Sequence, residues 1–517
     1  MQGKKAYSEK LFSNFQLSQR VPEDNFYRQL KEQLNLHFLY KATAKYYGNE
    51  GQRSIDPVVF FKLLLVGYLE NLNSDRKIIN HAKMRLDILF FIGYDIDEEL
   101  PWHSTLSRTR QLLGEEIFLQ LFREVLKLCV HKGMVSGKRQ AVDSAYIKAN
   151  ASLDSLVEKE VLADAQTFTD ELNLNDDTSK TVSATRKKAV EQHHAWKDEE
   201  YKAQHKITQA DKDRTDKRRP KFVSNHTHYS TTDEDARVSV KPGKPRQLNY
   251  TAQTVVDTSH HVITNIQADF SDKRDSQSLA AVLNQTQENL KQNGLQMDEV
   301  LADTGYSSGK ALEYLEQQNI KGYIPNFGQY KNEREGFIFN KELNQYECQR
   351  GNKAILPYKK TGKNSLGYEM HVYRSSSKDC GNCPLRTQCI GTSDFKKIDD
   401  SIYKPHYDKM HERLKTKYAK QMKKLRSSTV EPVLGTLINF TGMRRIWTRG
   451  IKAANKFMLG AAIAYNLKKY MQFVTKQTKT KAMTMNFEKQ VRKTLQTLLF
   501  LILCFHKNLW NTTTQKS

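Results

Sequence analysis

Two aspartates stand at positions in the sequence where a charged side chain is costly unless it has a partner. Asp303 ends a short apolar run, "VLA", just before a Thr-Gly pair. Asp143 lies in the middle of "KRQAVDSAYIKA" (138–149), whose alternating apolar residues predict a β-strand. If the two strands are neighbours in one sheet, the two carboxylates lie close together. Each then raises the pKa of the other unless a cation lies between them.

Mg²⁺ is the cation that suits such a pair, because it prefers oxygen ligands and keeps room for water and phosphate oxygens. Glu431 is the candidate for a third ligand, since it follows a Ser-Ser-Thr run and precedes Pro432. We expect Thr429 to cap a helix and Glu431 to lie in its first turn. A simpler interpretation stays open: Asp143 is a turn acid with satisfied hydrogen bonds, and Glu431 only favours the helix dipole.

Four of the six cysteines fall close together in the sequence, at Cys348, Cys380, Cys383 and Cys389. A Cys-x-x-Cys pair with two further cysteines is typical of a closed, tetrahedral, structural Zn²⁺ site. An iron–sulfur cluster, a redox pair or plain buried thiols are the alternatives. The other two cysteines, Cys129 and Cys504, lie in apolar segments that predict core helices.

Residues 1–135 have helical periodicity almost throughout. Asp56 and Pro57 predict the start of a buried helix over 56–72, as its cap and its first residue. A single helix is expected over 74–94, and Ser104 or Thr105 is expected to cap the next one. Its basic start, including Arg108, suits either a helix-turn-helix against DNA phosphates or the solvated face of an ordinary bundle.

The remaining pattern predicts a mixed α/β fold. Two strands joined by a turn are expected over 246–270 and a helix over 276–292, followed by the strand that ends at Asp303, a helix and another strand. Two segments interrupt this order. Residues 150–222 are highly charged and predict a helical insertion, and residues 337–395 contain short extended pieces around the cysteines.

The composition indicates a partner of opposite charge. The chain has 82 basic and 58 acidic residues and a net charge of +24, which favours polyanions such as DNA, RNA or anionic membrane. The start lacks the apolar stretch of a secretory signal. The longest apolar run, 498–505, is too short for a bilayer, which needs about 20 residues. This weakens the membrane alternative, and the sparse cysteines favour a reducing cytoplasm.

Four ordered blocks resemble bacterial insertion-sequence transposases of the DDE class: "AVDSAYIKANAS", "VLADTGYSSGKALEYL", "STVEPVLGTL" and "TRGIKAANKFMLGAAIAYNLKK". By that resemblance Asp143, Asp303 and Glu431 match the catalytic triad. Arg426 matches a basic residue that approaches DNA. The sequence departs from many relatives at Ile438, where they have a lysine. The candidates that could supply the missing phosphate contact are Arg444, Arg445, Arg449 and Lys452.

The resemblance implies an RNase H-like catalytic core with a cysteine-rich insert, two Mg²⁺ or Mn²⁺ ions, and a possible structural Zn²⁺. The expected domains are a helical DNA-binding domain (1–135), a catalytic domain (136–475) and a basic helical tail (476–517). The expected partners are the terminal repeats of the element, target DNA and a second copy of the chain, in the bacterial cytoplasm near the nucleoid. A nuclease that cuts without joining and an inactive DNA-binding descendant are the rival functions.

Overall fold

The structure of the protein is a computed structural model that describes residues 15–477 apart from 49, 51–53, 160–224, 226, 240–244, 327–329, 331 and 365–366. Most of the predicted charged insertion lies outside the described residues. So do nearly all of the predicted tail, the apolar run 498–505 and Cys504. Among the helices of the described residues, none is both long and apolar enough to cross a membrane.

The described residues from 15 to the first strand are mostly helical, as the sequence predicts. The helices are α1 (Leu17–Arg20), α2 (Phe26–Gln33), α3 (Phe38–Thr43), α4 (Pro57–Leu69), α5 (Asp75–Lys83), α6 (Leu86–Ile92), α7 (His103–Leu112) and α8 (Glu115–His131). The single helix expected over 74–94 is wrong: the chain forms α5 and α6, because the backbone of Arg85 is extended.

The start of α4 is confirmed. Asp56 caps it by accepting hydrogen bonds from the backbone N–H groups of Val58 and Val59, and Pro57 is its first residue. The predicted cap of α7 is wrong. That helix begins at His103 after an extended Trp102, so Ser104 and Thr105 lie inside its first turn.

A mixed sheet with an RNase H-like strand order forms the centre of the molecule. Its order is β6–β5–β1–β7–β8, with β4 pairing the start of β5. β1 is antiparallel to β5 and parallel to β7, and β7 is parallel to β8. The strands up to this point are β1 (Arg139–Lys148), β2 (Leu156–Glu158), β3 (His228–Ser230), β4 (Arg237–Ser239), β5 (Gln247–Asp257), β6 (Ile263–Phe270), β7 (Glu299–Leu301) and β8 (Lys321–Tyr323).

The connections between these strands agree with the predicted order. A tight turn joins β5 to β6, in which Asp257 accepts a hydrogen bond from the backbone of Ser259. Helix α9 (Asp275–Lys291) connects β6 to β7, and α10 (Gly309–Gln317) connects β7 to β8. Near the start of the predicted charged insertion, β2 pairs with β3.

The cysteine-rich region forms a separate antiparallel sheet of five strands, which ends at Ser401 rather than at the predicted 395. Its strands are β9 (Phe337–Asn340), β10 (Gln345–Cys348), β11 (Ile355–Lys363), β12 (Glu369–Arg374) and β13 (Lys397–Ser401). The short helices α11 (Ser377–Gly381) and α12 (Arg386–Cys389) lie between β12 and β13. The sheet has its own small core, which includes Tyr346, Leu356 and Tyr373.

Helices α13 (Lys404–Leu414) and α14 (Lys417–Phe440) return the chain to the central sheet. Thr416 caps α14 by accepting a hydrogen bond from the backbone of Ala419. The prediction that Thr429 caps a new helix is therefore wrong, because α14 runs continuously through Thr429 with Pro432 in its interior. Residues 451–477 are also helical.

Candidate active site

The register of β1 and β7 places Asp143 and Asp303 side by side. The two strands are parallel, and Ala141 pairs with Leu301. Each aspartate lies two residues beyond its member of that pair: Asp143 is inside β1, and Asp303 begins the turn that follows β7. Adjacent strands are about 4.8 Å apart. The pairing of β1 with β7 therefore makes the predicted strands neighbours in one sheet.

The surroundings of Asp143 disfavour its charge. Burial raises the pKa of the Asp143 carboxyl most strongly; the guanidinium of Arg426 opposes this, and the charge of Asp303 raises the pKa further. Asp303 is positioned by the turn that follows β7, where its Oδ1 accepts a hydrogen bond from the backbone of Gly305 at 2.9 Å. The two carboxylates therefore form a partly desolvated pair that favours a cation.

Helix α14 crosses the central sheet and brings Glu431 to the same region. It packs against β1, β5, β7 and β8. Near its first turn, the Tyr418 hydroxyl hydrogen-bonds Glu299 at 2.9 Å, and Arg139 binds the same carboxylate at 2.6 Å. Because Glu299 begins β7 and Arg139 begins β1, these contacts fix the helix against the strands that bear both aspartates.

Arg426 joins two of the three acids. One guanidinium nitrogen lies 2.8 Å from Oδ2 of Asp143, and another lies 3.0 Å from Oε1 of Glu431. Arg426 also lines a cavity of about 220 Å³ together with Asp303 and Lys423. In the described part of the chain, no group of three or more histidine, cysteine or acidic side chains stands ready to hold a metal ion. Glu431 is thus linked to Asp143 through Arg426.

Four residues beside this site were not singled out from the sequence as members of it. Gly305 packs between two acids: a Cβ there would lie 3.1 Å from Asp303 Oδ1 and 3.2 Å from Asp275 Oδ2. The other oxygen of Asp275 accepts a hydrogen bond from Gln253, whose carbonyl accepts one from the buried Tyr306 hydroxyl. The signal available for Asp275 is that it opens a helix directly after a strand.

The predicted DNA-binding cations lie in different parts of the fold. Arg445 donates a hydrogen bond to Asn150 and lies 4.9 Å from the ring of Trp447. The backbone of Ile446 binds the end of β1, so this segment is tied to the strand that carries Asp143. Arg108, Arg444, Arg449 and Lys452 are exposed. Ile438 instead packs against the core.

A cavity of about 750 Å³ separates helices α4, α5 and α7 from the segment 442–457. Trp447 and Arg449 line it from one side, and Lys77 lines it from the other. The side chain of Trp447 is 43% exposed. The cavity therefore combines an accessible aromatic ring with basic side chains.

The four clustered cysteines line one smaller cavity of about 230 Å³, with contributions from β10, α11 and α12. They are free thiols. Gly351 passes directly against them, since a Cβ at this position would lie 2.4 Å from Sγ of Cys383. Cys129, by contrast, is a core residue as predicted, and burial raises the pKa of its thiol to about 12.

Two separate parts of the chain match known protein families. Residues 15–112 match the family described as Transposase domain (DUF772), and residues 347–471 match the family described as Transposase DDE domain. Two separate parts of the chain are thus similar to domains of transposases, one of them the DDE domain. The first match covers α1 to α7, and the second covers the cysteine-rich sheet from the end of β10 onwards and α14 with Arg426 and Glu431.

One solved structure to which the chain is similar is that of the piggyBac transposase synaptic complex with hairpin DNA. The identity is 10% and the TM-score is 0.30, over 87% of this chain and 74% of that chain. No curated protein sequence matches the chain. The two transposase domains support a function in DNA transposition, and DDE transposases generally catalyse DNA strand transfer with divalent metal ions.

Proposed function

We propose that this protein is a transposase that binds the ends of an insertion sequence and catalyses DNA strand cleavage and strand transfer with Asp143, Asp303 and Glu431 as its catalytic acids. The observation that supports this most strongly is the parallel pairing of β1, which carries Asp143, with β7, which ends just before Asp303. Burial of Asp143 adds to it, because a buried carboxylate beside a second one needs a positive partner.

The donor set fits Mg²⁺ or Mn²⁺, since all three side chains offer carboxylate oxygens. When bound, two such ions would stabilise the attacking and the leaving oxygens of an in-line phosphoryl transfer. The protein positions the groups: β1 and β7 hold the two aspartates rigidly, and α14 carries Glu431 and Arg426 across them. Arg426 would bind a DNA phosphate, which its planar guanidinium matches in shape.

The basic and aromatic surface beside the site would bind the DNA. We assign phosphate contacts to Arg444, Arg445, Arg449, Lys452 and, on α7, Arg108. Trp447 has an exposed face on which a base could stack. A homodimer bound to paired ends is part of this proposal, and light scattering of the protein with and without end DNA tests it.

We also propose that Cys348, Cys380, Cys383 and Cys389 bind a structural Zn²⁺. The support is that all four line one small cavity and that Gly351 leaves room for the sulfur of Cys383. The site would tie β10 to the two short helices of a sheet whose apolar core is small.

The deciding experiment incubates the protein with duplexes of the element ends in Mg²⁺ or in EDTA and resolves the strands on a gel. We expect cleavage in Mg²⁺ only, and loss of it in D143N and D303N. The matched control is D298N, an exposed acid at the opposite end of β7. Equal cleavage by D303N and D298N would contradict the proposed triad.

Pre-cut ends distinguish the rival functions. Joining of a pre-cut end to target DNA supports a transposase, whereas cleavage without joining supports a nuclease. Element mobility in cells that is unchanged by D303A would support a DNA-binding descendant in which the acids have no catalytic role.

A further inference from the structure

Arg426 occupies the place between two carboxylates of the proposed catalytic triad. Its guanidinium binds Asp143 and Glu431 at 2.8 and 3.0 Å, and its side chain is only 16% exposed. Asp143 is 17% exposed and Glu431 is 56% exposed. The buried end of the bridge is therefore strongly held, whereas the Glu431 end is open to solvent and free to exchange partners.

The geometry of α14 explains why one arginine reaches both acids. Side chains on a helix lean towards its N-terminus, so Glu431 reaches back over the turn that carries Arg426. The same arginine lines the cavity that contains Asp303. A single positive group is thus adjacent to the entire proposed triad.

We propose that Arg426 is a removable counter-ion: it neutralises Asp143 and Glu431 in the free protein and moves to a DNA phosphate when DNA binds. This inference rests on the proposed function of the site. The guanidinium and a divalent ion compete for Oδ2 of Asp143, while a phosphate and the carboxylates compete for the guanidinium. Removing the arginine from between the acids also lets Glu431 approach Asp143.

It follows that DNA and divalent metal ions bind with positive cooperativity. Without DNA, a metal ion must displace a charge-assisted ion pair before it contacts Asp143. With DNA, the phosphate supplies the arginine with a new partner, and the metal ion binds to free carboxylates. By linkage, the factor by which DNA tightens metal binding equals the factor by which metal tightens DNA binding. Such an arrangement disfavours a metal-loaded site in the absence of DNA.

The test measures Mn²⁺ binding by electron paramagnetic resonance for the full chain and for R426Q, each alone and with a pre-cut end duplex. In the unmodified protein we expect the duplex to tighten Mn²⁺ binding at least fivefold. In R426Q without DNA we expect Mn²⁺ to bind at least fivefold more tightly than in the unmodified protein, and the effect of the duplex to shrink. K424Q, which removes an exposed charge from the same helix, controls for net charge.

R426Q binding Mn²⁺ no more tightly than the DNA-free unmodified protein would overturn the counter-ion role. R426K controls for a folding defect. Its ammonium retains the positive charge but cannot bind two carboxylates at once as the guanidinium does. We therefore expect the Mn²⁺ affinity of R426K to lie between that of the unmodified protein and that of R426Q. A second measurement needs only the unmodified protein: its affinity for the duplex with and without Mn²⁺. If Mn²⁺ does not raise that affinity, the proposal is also overturned. Failure of the proposed function is distinguishable, since D143N would then leave Mn²⁺ binding unchanged.

Discussion

At the scale of single residues, the site is defined by carboxylates that the fold keeps close together in spite of their mutual repulsion and partial burial. Asp143 is mostly buried and feels the charge of Asp303, and the carboxylates of Asp303 and Asp275 both lie against Gly305. Arg426 offsets part of this repulsion. A concentration of negative charge that Arg426 balances only in part gains free energy when a further cation binds.

Asp275 tests this argument, because its carboxylate lies beside Asp303 without belonging to the proposed triad. We expect D275N to weaken Mn²⁺ binding about tenfold, the size typical of a side chain that supports metal ligands. The asparagine retains an oxygen that can accept the Gln253 hydrogen bond, so the fold should survive. Titration of Mn²⁺ into D275N and into the control D298N measures the effect; equal affinities would show that Asp275 has no part in the site.

Lys62 provides a prediction about pH that does not involve the site. Burial on α4 lowers its pKa from 10.5 to about 8, and the nearby charge of Lys31 adds to this. Its ammonium lies 5.3 Å from the ring of Phe91. Because the charged form is disfavoured in the folded state, Lys62 costs stability below about pH 8. That cost is relieved as the pH rises from 8 towards 10.5.

We therefore expect K62M to be more stable than the unmodified protein at pH 7, by about 1–2 kcal/mol. The difference should shrink as the pH rises to 10, where the folded protein has lost the proton from Lys62. Thermal unfolding at several pH values measures this. A stability difference that is constant with pH would show that Lys62 keeps its charge in the folded state.

At the scale of elements, α14 determines the geometry of the site, and it contains a proline. Pro432 lies directly after Glu431 in the interior of the helix. An interior proline removes one backbone hydrogen bond, and its ring presses against the carbonyl four residues earlier, that of Ser428. The helix tolerates this cost at the position where a candidate catalytic side chain must be aimed.

We expect P432A to stabilise the protein by roughly 1–3 kcal/mol, since alanine restores the missing hydrogen bond. We also expect strand transfer to fall tenfold or more, because small displacements of a catalytic group are costly. P405A is the matched control: Pro405 occupies the first turn of α13, where proline fits. A P432A protein that is more stable and fully active would show that the proline does not aim Glu431.

The cysteine-rich sheet gives a prediction about metal removal. We expect one Zn²⁺ per chain by elemental analysis, lost in C383S and retained in C129A. Loss of the metal should lower the unfolding temperature and expose the sheet to proteases, because its own apolar core is small. If elemental analysis finds no zinc and all four clustered thiols react with a thiol reagent, the interpretation that these cysteines are plain thiols is favoured.

Local sequence patterns were sufficient to predict most helices and strands. Where such a prediction was wrong, long-range contacts explain the difference. The strand around Asp143 and the start of α4 at Asp56 follow from alternation and capping. Glu431 was misplaced within its helix, because the proline rule that suggested a helix start at Thr429 is overridden by packing of α14 on the sheet. The bridge through Arg426 depends on tertiary structure, which no spacing reveals.

At the scale of the whole molecule, one continuous apolar core joins the N-terminal helices, the central sheet and residues 451–477. The helical residues 451–477 make hydrogen bonds both to the N-terminal helical region and to the central sheet. Lys468 donates to the carbonyl of Leu69 on α4, and Lys456 donates to that of Leu113. On the other side Asn455 and Asn466 bind the backbone of β6, whose outer edge would otherwise be unpaired.

Asn466 is the residue through which this arrangement is best tested. Its fully buried side chain accepts a hydrogen bond from the N–H of Ile263 and donates one to the carbonyl of the same residue, both at 2.9 Å. N466A leaves both buried backbone groups without these partners, so we expect a loss of about 2–4 kcal/mol. Q472A, an exposed position on the same helix, should change stability little. Because the core is continuous, N466A should still unfold in one transition at a lower denaturant concentration. A second transition confined to the mutant would show instead that the last helix and the sheet fold as separate units.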